Sequence, residues 1–142
     1  MEYRNIYRAR VERSSSSDDD PYVMYLIVNE SLSMSVGKTA AQVGHAVNML
    51  CEVVFGLSKK KNLTISELHI VNNYSAWANR MYRKVVLRCK DKQWESIKQE
   101  TDYVLVRDAG LTEISPGSET VIGLFPMLKS QAPNIIKKLQ VL

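Results

Sequence analysis

The chain has 142 residues, of which 45% are hydrophobic and 24% are charged. This length and composition suit one globular domain with a sizeable core and exclude repeat and fibrous proteins. Beyond position 20 the chain carries 15 basic and 10 acidic residues, and an excess of that size favours phosphate-rich partners such as nucleic acids.

The first 21 residues differ in composition from the rest. They are polar, lack the apolar core of a signal peptide, and include four serines and three aspartates at 14–20, before Pro21. No apolar run approaches the ~20 residues that a membrane span needs, so we expect a cytoplasmic protein with no membrane attachment. We expect an N-terminal extension and flexible linker over residues 1–21 and a folded domain over residues 22–142.

Strands and helices alternate along the folded part of the chain. The continuous apolar run at 22–28 predicts a central strand covered on both faces, and Thr64-Ile-Ser-Glu67 fits a capping box at the start of a helix. The predicted strands cover residues 22–28, 84–89, 103–108 and 119–125, and the predicted helices cover residues 34–56, 65–80, 91–100 and 134–139. This alternation predicts an α/β fold with a largely parallel or mixed sheet and helices on both faces.

The helix that follows the first strand has two different faces. At about 100° per residue, the apolar face that we expect in the core comprises Val43, Val47, Leu50, Cys51 and Val54. The nearly opposite face comprises Lys38, Gln42, His45 and Met49. Lys38 and Gln42 lie one turn apart, so both reach the volume beyond the helix N-terminus, where unpaired N–H groups favour a phosphate or an oxyanion. The alternative interpretation is a solvated polar face.

Two other patterns are less informative about chemistry. Gly37-Lys-Thr39 resembles the end of a phosphate-binding loop, but that motif needs a glycine where this chain has Leu32, which argues against a nucleoside triphosphatase. Cys51 and Cys89 lack metal-ligand or redox spacing, so we expect two free, buried thiols.

Asp108 ends the third predicted strand. Ligands of open α/β sheets bind where strands end, so Lys38, Gln42 and Asp108 converge if the first and third strands run parallel. The lysine would then favour the charged carboxylate, which would orient a water or act as a weak base. The alternative interpretation is that Asp108, before an Ala-Gly pair, only forms a turn. His45 lies about 10 Å from Lys38 by helical rise, and it either contacts a substrate or bonds to a neighbouring carbonyl.

Three motifs together resemble those of the type 2 peptidyl-tRNA hydrolases of archaea and eukaryotes. They are Gly37-Lys-Thr-Ala-Ala-Gln-Val-Gly-His-Ala46, Lys84-Val-Val-Leu-Arg88 and Arg107-Asp-Ala-Gly-Leu-Thr-Glu-Ile-Ser-Pro-Gly-Ser-Glu-Thr-Val121. The resemblance covers residues 22–142 and implies a three-layer α/β/α sandwich with a four-stranded mixed sheet, commonly assembled as a homodimer. It also implies cleavage of the ester that joins a nascent peptide to tRNA, with no metal or organic cofactor.

The same resemblance implies roles for individual residues. The family's catalytic lysine, glutamine and aspartate match Lys38, Gln42 and Asp108, its loop threonine matches Thr112, and Leu111 stands where the family usually has a polar residue. We also expect His45 to contact the substrate. Contacts with the tRNA backbone are expected from basic residues, namely Lys59, Lys60, Lys61, Lys84 and Arg107. The alternative to an enzyme is a catalytically silent module on the same fold that binds tRNA or a protein.

Overall fold

The computed structural model describes residues 7, 9–10, 19–111 and 113–142. The predicted linker over 14–20 lies outside the described residues except for its last two positions, and Thr112 lies outside them as well. Asp20 is attached to the folded part, because its carboxylate accepts hydrogen bonds from the backbone N of Ser130 at 2.8 Å and from the hydroxyl Oγ at 2.5 Å. The chain is therefore anchored to the domain immediately before Pro21.

A six-stranded mixed sheet forms the centre of the domain. Its strands are β1 (Tyr22–Asn29), β2 (Lys84–Cys89), β3 (Tyr103–Arg107), β4 (Glu119–Leu124), β5 (Met127–Leu128) and β6 (Gln140–Val141). The order is β3-β4-β1-β2-β6, with β5 paired to β1. Among these five pairings of the described strands, β1–β2 is parallel and the others are antiparallel. The prediction of four strands was wrong, because β5 and β6 have two residues each and are too short to show an alternating pattern.

Four α-helices of the described part of the chain flank the sheet, close to the predicted positions. They are α1 (Val36–Ser58), α2 (Ile65–Ala78), α3 (Asp91–Glu100) and α4 (Asn134–Lys137). The capping box predicted before α2 is present, with the Thr64 side chain accepting from the backbone N of Glu67 at 3.1 Å. Ser35 caps α1 by accepting a hydrogen bond from the backbone N of Lys38.

Alternate residues of β1 enter two separate cores. The first core combines Met24, Leu26 and Val28 with Ala46 and Leu50 of α1 and Trp77 of α2. The second core combines Val23, Tyr25 and Ile27 with Trp94 and Ile97 of α3 and Ile136 of α4. A strand with an apolar core on each side has no solvent-facing positions, which explains the continuous apolar run in its sequence. The prediction that β1 is a central strand covered on both faces is confirmed.

The buried face of α1 differs from the prediction. The buried residues are Gln42, Ala46, Leu50 and Val54, whereas Cys51 is exposed. Ala46 and Gly123 of β4 are small enough for close contact, since a Cβ added at Gly123 would lie 3.2 Å from the Cβ of Ala46. The residues of α1 that are spaced four apart and include Ala46 therefore face the sheet. Gln42 lies one turn before Ala46 on this face, so it is buried as well.

By length and composition, α1 also meets the requirements for a membrane span, which we had expected no segment to meet. It has 23 residues, and the mean hydropathy of its most apolar 18-residue window is 1.2. In the structure α1 packs along the sheet, with Ala46 and Leu50 fully buried against it.

Candidate active site

The strand directions bring the start of α1 and the end of β3 to one edge of the sheet. Both β1 and β3 pair antiparallel with β4, so they run in the same direction and their carboxyl ends lie at the same edge. α1 begins seven residues after β1 ends, and Asp108 directly follows β3. The first and third strands therefore run parallel, which was the condition for the three residues to converge. Lys38, Gln42 and Asp108 lie together.

Lys38 and Asp108 form a partly buried ion pair. Lys38 Nζ lies 2.5 Å from Asp108 Oδ1, and the two side chains are 11% and 5% exposed. The hydrogen bond from Lys38 is the largest cause that holds the pKa of Asp108 below its ordinary value, and a hydrogen bond from the backbone N–H of Gly110 acts in the same direction. Asp108 is therefore a carboxylate at neutral pH, and its negative charge is balanced by the ammonium group beside it.

Gln42 joins this pair to the interior of the sheet. Its Nε2 donates to Asp108 Oδ1 at 3.4 Å, and its Oε1 accepts from the Thr120 hydroxyl at 2.6 Å. Thr120, on β4, is fully buried and was missed in the sequence. A single polar residue among the otherwise apolar positions 120–124 was the signal that could have found it. Thr120 fixes the orientation of the Gln42 amide, so that its NH₂ group faces Asp108.

The loop after β3 is closed on itself through Asp108. The Gly110 N–H donates to Asp108 Oδ2 at 2.6 Å, the Asp108 N–H donates to Ser118 O at 2.9 Å, and the Gly117 N–H donates to Asp108 O at 2.7 Å. Gly110 has a φ of 76°, and a Cβ added there would lie 2.4 Å from Cγ of Pro116. Only glycine fits this position without a shift of the loop. Asp108 therefore forms the turn that one interpretation predicted and also pairs with Lys38, as the other interpretation predicted.

Glu113 fastens the same loop to the N-terminus of α1. Its Oε2 accepts from the backbone N of Ser35 at 2.7 Å, and its Oε1 accepts from the Ser35 hydroxyl at 2.6 Å. These hydrogen bonds, followed by the charge of Lys38, hold the pKa of Glu113 below its ordinary value. We expected a substrate anion at this helix terminus, but the protein's own carboxylate occupies its first N–H group. No local sequence signal identifies a contact between residues 78 positions apart.

His45 lies on α1 two turns beyond Lys38 and is exposed. A positive charge on its imidazole ring is the smallest of the causes that lower the pKa of Asp108. Thr112, the fourth position implied by the resemblance, belongs to the residues that the structure does not describe.

Lys84 and Arg107 are not part of the cluster around Asp108. Lys84 begins β2, so it lies at the opposite edge of the sheet, with its Nζ 5.1 Å from the ring centroid of Trp77. Arg107 pairs with Glu119, with 3.2 Å between Nη2 and Oε2. Because Glu119 also accepts from Lys98 of α3, the Arg107 side chain is directed towards the α3 side of the sheet.

Neither cysteine is near this cluster. Cys89 is buried as predicted, and burial raises the pKa of its thiol to about 11, whereas Cys51 is exposed, contrary to prediction. Within residues 7, 9–10, 19–111 and 113–142, no three His, Cys, Asp or Glu side chains lie close enough to hold a metal ion.

Comparison with known proteins identifies the family of the chain. A family model described as peptidyl-tRNA hydrolase PTH2 matches residues 22–142. The peptidyl-tRNA hydrolase of Methanopyrus kandleri is 33% identical over 127 residues, which cover 85% of this chain and 98% of that protein. The peptidyl-tRNA hydrolase of Sulfolobus acidocaldarius is 31% identical over 126 residues, which cover 84% of this chain and 98% of that protein.

A eukaryotic relative gives a similar match. Peptidyl-tRNA hydrolase 2 of Saccharomyces cerevisiae is 30% identical over 135 residues, which cover 88% of this chain and 61% of the yeast protein. The chain therefore belongs to the peptidyl-tRNA hydrolase PTH2 family. The resemblance predicted from the three sequence motifs is confirmed.

Proposed function

We propose that this chain hydrolyses the ester bond of peptidyl-tRNA and releases free tRNA and peptide, with Lys38, Gln42 and Asp108 as its catalytic residues. Membership of the PTH2 family supports the reaction. The observation that carries the assignment of residues is the 2.5 Å contact between Lys38 Nζ and Asp108 Oδ1, at the edge of the sheet where ligands of α/β proteins bind.

Asp108 orients the attacking water. An ionised carboxylate offers about four acceptor positions. Oδ1 accepts from Lys38 and Gln42, and Oδ2 accepts from the Gly110 N–H, which leaves one position on Oδ2 for a water. Because its pKa is lowered, Asp108 is a weak base, and positioning the water contributes more than removing its proton. An ester is already activated towards attack, so positioning and one charged donor suffice.

Lys38 and Gln42 act on the ester carbonyl. The Lys38 ammonium has three donors, and Asp108 accepts one of them. A second donor stabilises the negative charge that develops on the carbonyl oxygen during attack. The Gln42 NH₂ group, oriented by Thr120, donates one hydrogen to Asp108 and holds the carbonyl or the water with the other.

The direct test measures release of an N-blocked amino acid from a blocked aminoacyl-tRNA. We expect turnover by the unchanged protein and a loss of about 100-fold or more in kcat for Lys38→Ala. Asp108→Asn should lose turnover and keep its affinity for tRNA. Lys129→Ala, the same change at an exposed lysine whose backbone N bonds to Pro21 O, is the control and should keep full turnover. Near-normal turnover by Lys38→Ala would exclude the proposed role of this lysine.

The alternative, a catalytically silent module that binds tRNA or a protein, is not favoured by the family and its named relatives. A silent module would bind tRNA in the same assay without releasing any amino acid, and no variant would change that result.

The arrangement of helices supports the three-layer α/β/α sandwich of the family, with α1 and α2 contributing to one core and α3 and α4 to the other. The basic charge supports tRNA as a binding partner in translation. We also propose a cytoplasmic location without membrane attachment, supported by the burial of Gln42, Ala46, Leu50 and Val54 of α1 within the domain.

A homodimer is the assembly that the resemblance implies. An apolar groove of about 770 Å³ on the flank of α1 away from Lys38 supports it, with Val36 88%, Val141 67% and Leu142 57% exposed. Sedimentation equilibrium of the unchanged protein beside Val141→Asp tests this assembly. We expect a dimer that the substitution weakens, and a monomer at all concentrations would exclude it.

A further inference from the structure

A second cleft lies at the carboxyl end of β2, outside the cluster around Asp108. Its volume is about 230 Å³, and its lining is mostly polar and basic: Glu30, Arg88, Lys90, Gln93, Lys138, Leu139 and Gln140. Three cationic side chains and one carboxylate leave a net charge of about +2 in this small space. Such a cleft attracts an anion of limited size.

The cations of this cleft are available to a ligand. Lys90 and Lys138 are exposed and form no ion pair with any residue in the described ranges. Arg88 is held in place by Gln140, whose Oε1 accepts from Nη2 at 2.6 Å, and its contact with Glu30 is long, at 3.9 Å. The Arg88 side chain is 41% exposed, so the guanidinium group is oriented but still open to a further acceptor.

The position of the cleft relates it to the proposed active site. β2 runs parallel to β1, which runs in the same direction as β3, so the carboxyl end of β2 lies at the same sheet edge as Asp108. β2 and β3 are three positions apart in the sheet, which corresponds to about 15 Å at the usual strand spacing. A chain of nucleotides whose end reaches Lys38 can therefore continue along this edge to the cleft.

We propose that this cleft binds a phosphodiester group of the tRNA backbone and so positions the substrate, with Arg88, Lys90 and Lys138 as the phosphate-binding residues. The proposal rests on the proposed function, and it adds a specific anchor for the nucleic acid. The basic loop at 59–61 lies at the other end of α1, about 30 Å from Lys38 by helical rise. Lys60 is also paired there with Glu67, at 2.7 Å between Nζ and Oε2. That loop is the less suitable anchor near the ester.

The test compares two double variants of exposed lysines, Lys90→Gln with Lys138→Gln and, as the matched control beside Asp20, Lys129→Gln with Lys137→Gln. Turnover of blocked aminoacyl-tRNA is followed as the salt concentration rises. The cleft variant should raise KM about tenfold and leave kcat unchanged. The slope of log affinity against log salt should become shallower by about 0.8, since the contact with one phosphate group is lost. The control variant should change neither value.

Two further measurements separate this inference from the proposed function. Affinity for deacylated tRNA, measured in the Asp108→Asn background, should fall for the cleft variant and not for the control, whether or not the chain turns over substrate. Turnover of a blocked aminoacyl-adenosine, which lacks the tRNA backbone, should be equal for the unchanged protein and the cleft variant. An unchanged KM, salt dependence and tRNA affinity in the cleft variant, or equal losses in the control, would overturn the proposal. Absence of turnover by the unchanged protein, with these differences in tRNA affinity intact, would instead overturn the proposed function.

Discussion

The hydrogen bond between Thr120 and Gln42 allows a sharp test of how the site is supported. Thr120→Val removes the hydroxyl group and keeps the shape of the side chain, so no cavity forms. The Gln42 Oε1, which accepts this bond at 2.6 Å, would be left in a buried position without its donor. The loss of one partner of a buried hydrogen bond costs about 1–3 kcal/mol of unfolding free energy.

Both stability and catalysis should respond. For a domain of this size the melting temperature should fall by about 4–12 °C, at roughly 4 °C per kcal/mol. Because the Gln42 amide is then free to turn away from Asp108, kcat should fall about tenfold, with a smaller change in KM. Differential scanning calorimetry and the release assay measure the two effects.

Thr120→Ser is the matched control, since it restores the donor and removes only a methyl group. It should recover most of kcat. If Thr120→Val keeps both its melting temperature and its kcat, the bond does not support the site and this reasoning is wrong. If both variants lose kcat equally, restoring the hydroxyl group does not rescue the site, and the loss cannot be assigned to the missing hydrogen-bond donor.

Three further predictions follow from the loop that carries the aspartate. Because the folded-state pKa of Asp108 lies below its ordinary value of 3.8, its contribution to stability is present above about pH 4 and is lost as the pH falls through the lower folded value, which acid titration of the melting temperature measures. Gly110→Ala should lose about 1–3 kcal/mol and most of kcat, because the new Cβ would lie 2.4 Å from Cγ of Pro116. Leu111→Arg places one positive charge at a side chain that is 88% exposed. It should lower KM for the tRNA substrate and steepen the slope of log affinity against log salt by the amount expected for one added phosphate contact.

Each of these predictions has a matched control variant. Gly117→Ala shares the positive φ, at 79°, but meets no atom within 4 Å, so it should cost less than Gly110→Ala, and equal losses would contradict the steric explanation. Leu111→Gln adds polarity without charge and should leave the salt dependence unchanged. The pH dependence of the melting temperature should differ between Asp108→Asn and the unchanged protein. If it is the same in both, Asp108 is not the titrating group.

The sequence revealed the parts of the site that depend on periodicity. Lys38 and Gln42 are one helical turn apart, and Asp108 ends a strand, so local spacing and the rule about strand ends predict that the three residues lie together. The long strands and the capping box could be predicted for the same reason, because each is encoded within a few neighbouring residues. The catalytic roles of these residues remain predictions.

Other features depend on packing between distant parts of the chain. The helical wheel placed Gln42 with the solvent-facing residues, but the close contact between Ala46 and Gly123 turned it inwards and left Cys51 exposed. Glu113 is 78 positions from its partner, so no window of the sequence contains both residues. The two-residue strands β5 and β6 depend on pairing with longer neighbours and not on a pattern of their own.

The closed loop around Asp108 also determines when the site loses its conformational freedom. The backbone N–H, the backbone carbonyl and both carboxylate oxygens of Asp108 are hydrogen-bonded before any substrate is present. The entropy of ordering these groups is therefore lost during folding, and little remains to be lost when an ester arrives. Activity should consequently persist up to the temperature at which the sheet itself unfolds and disappear with it in one step.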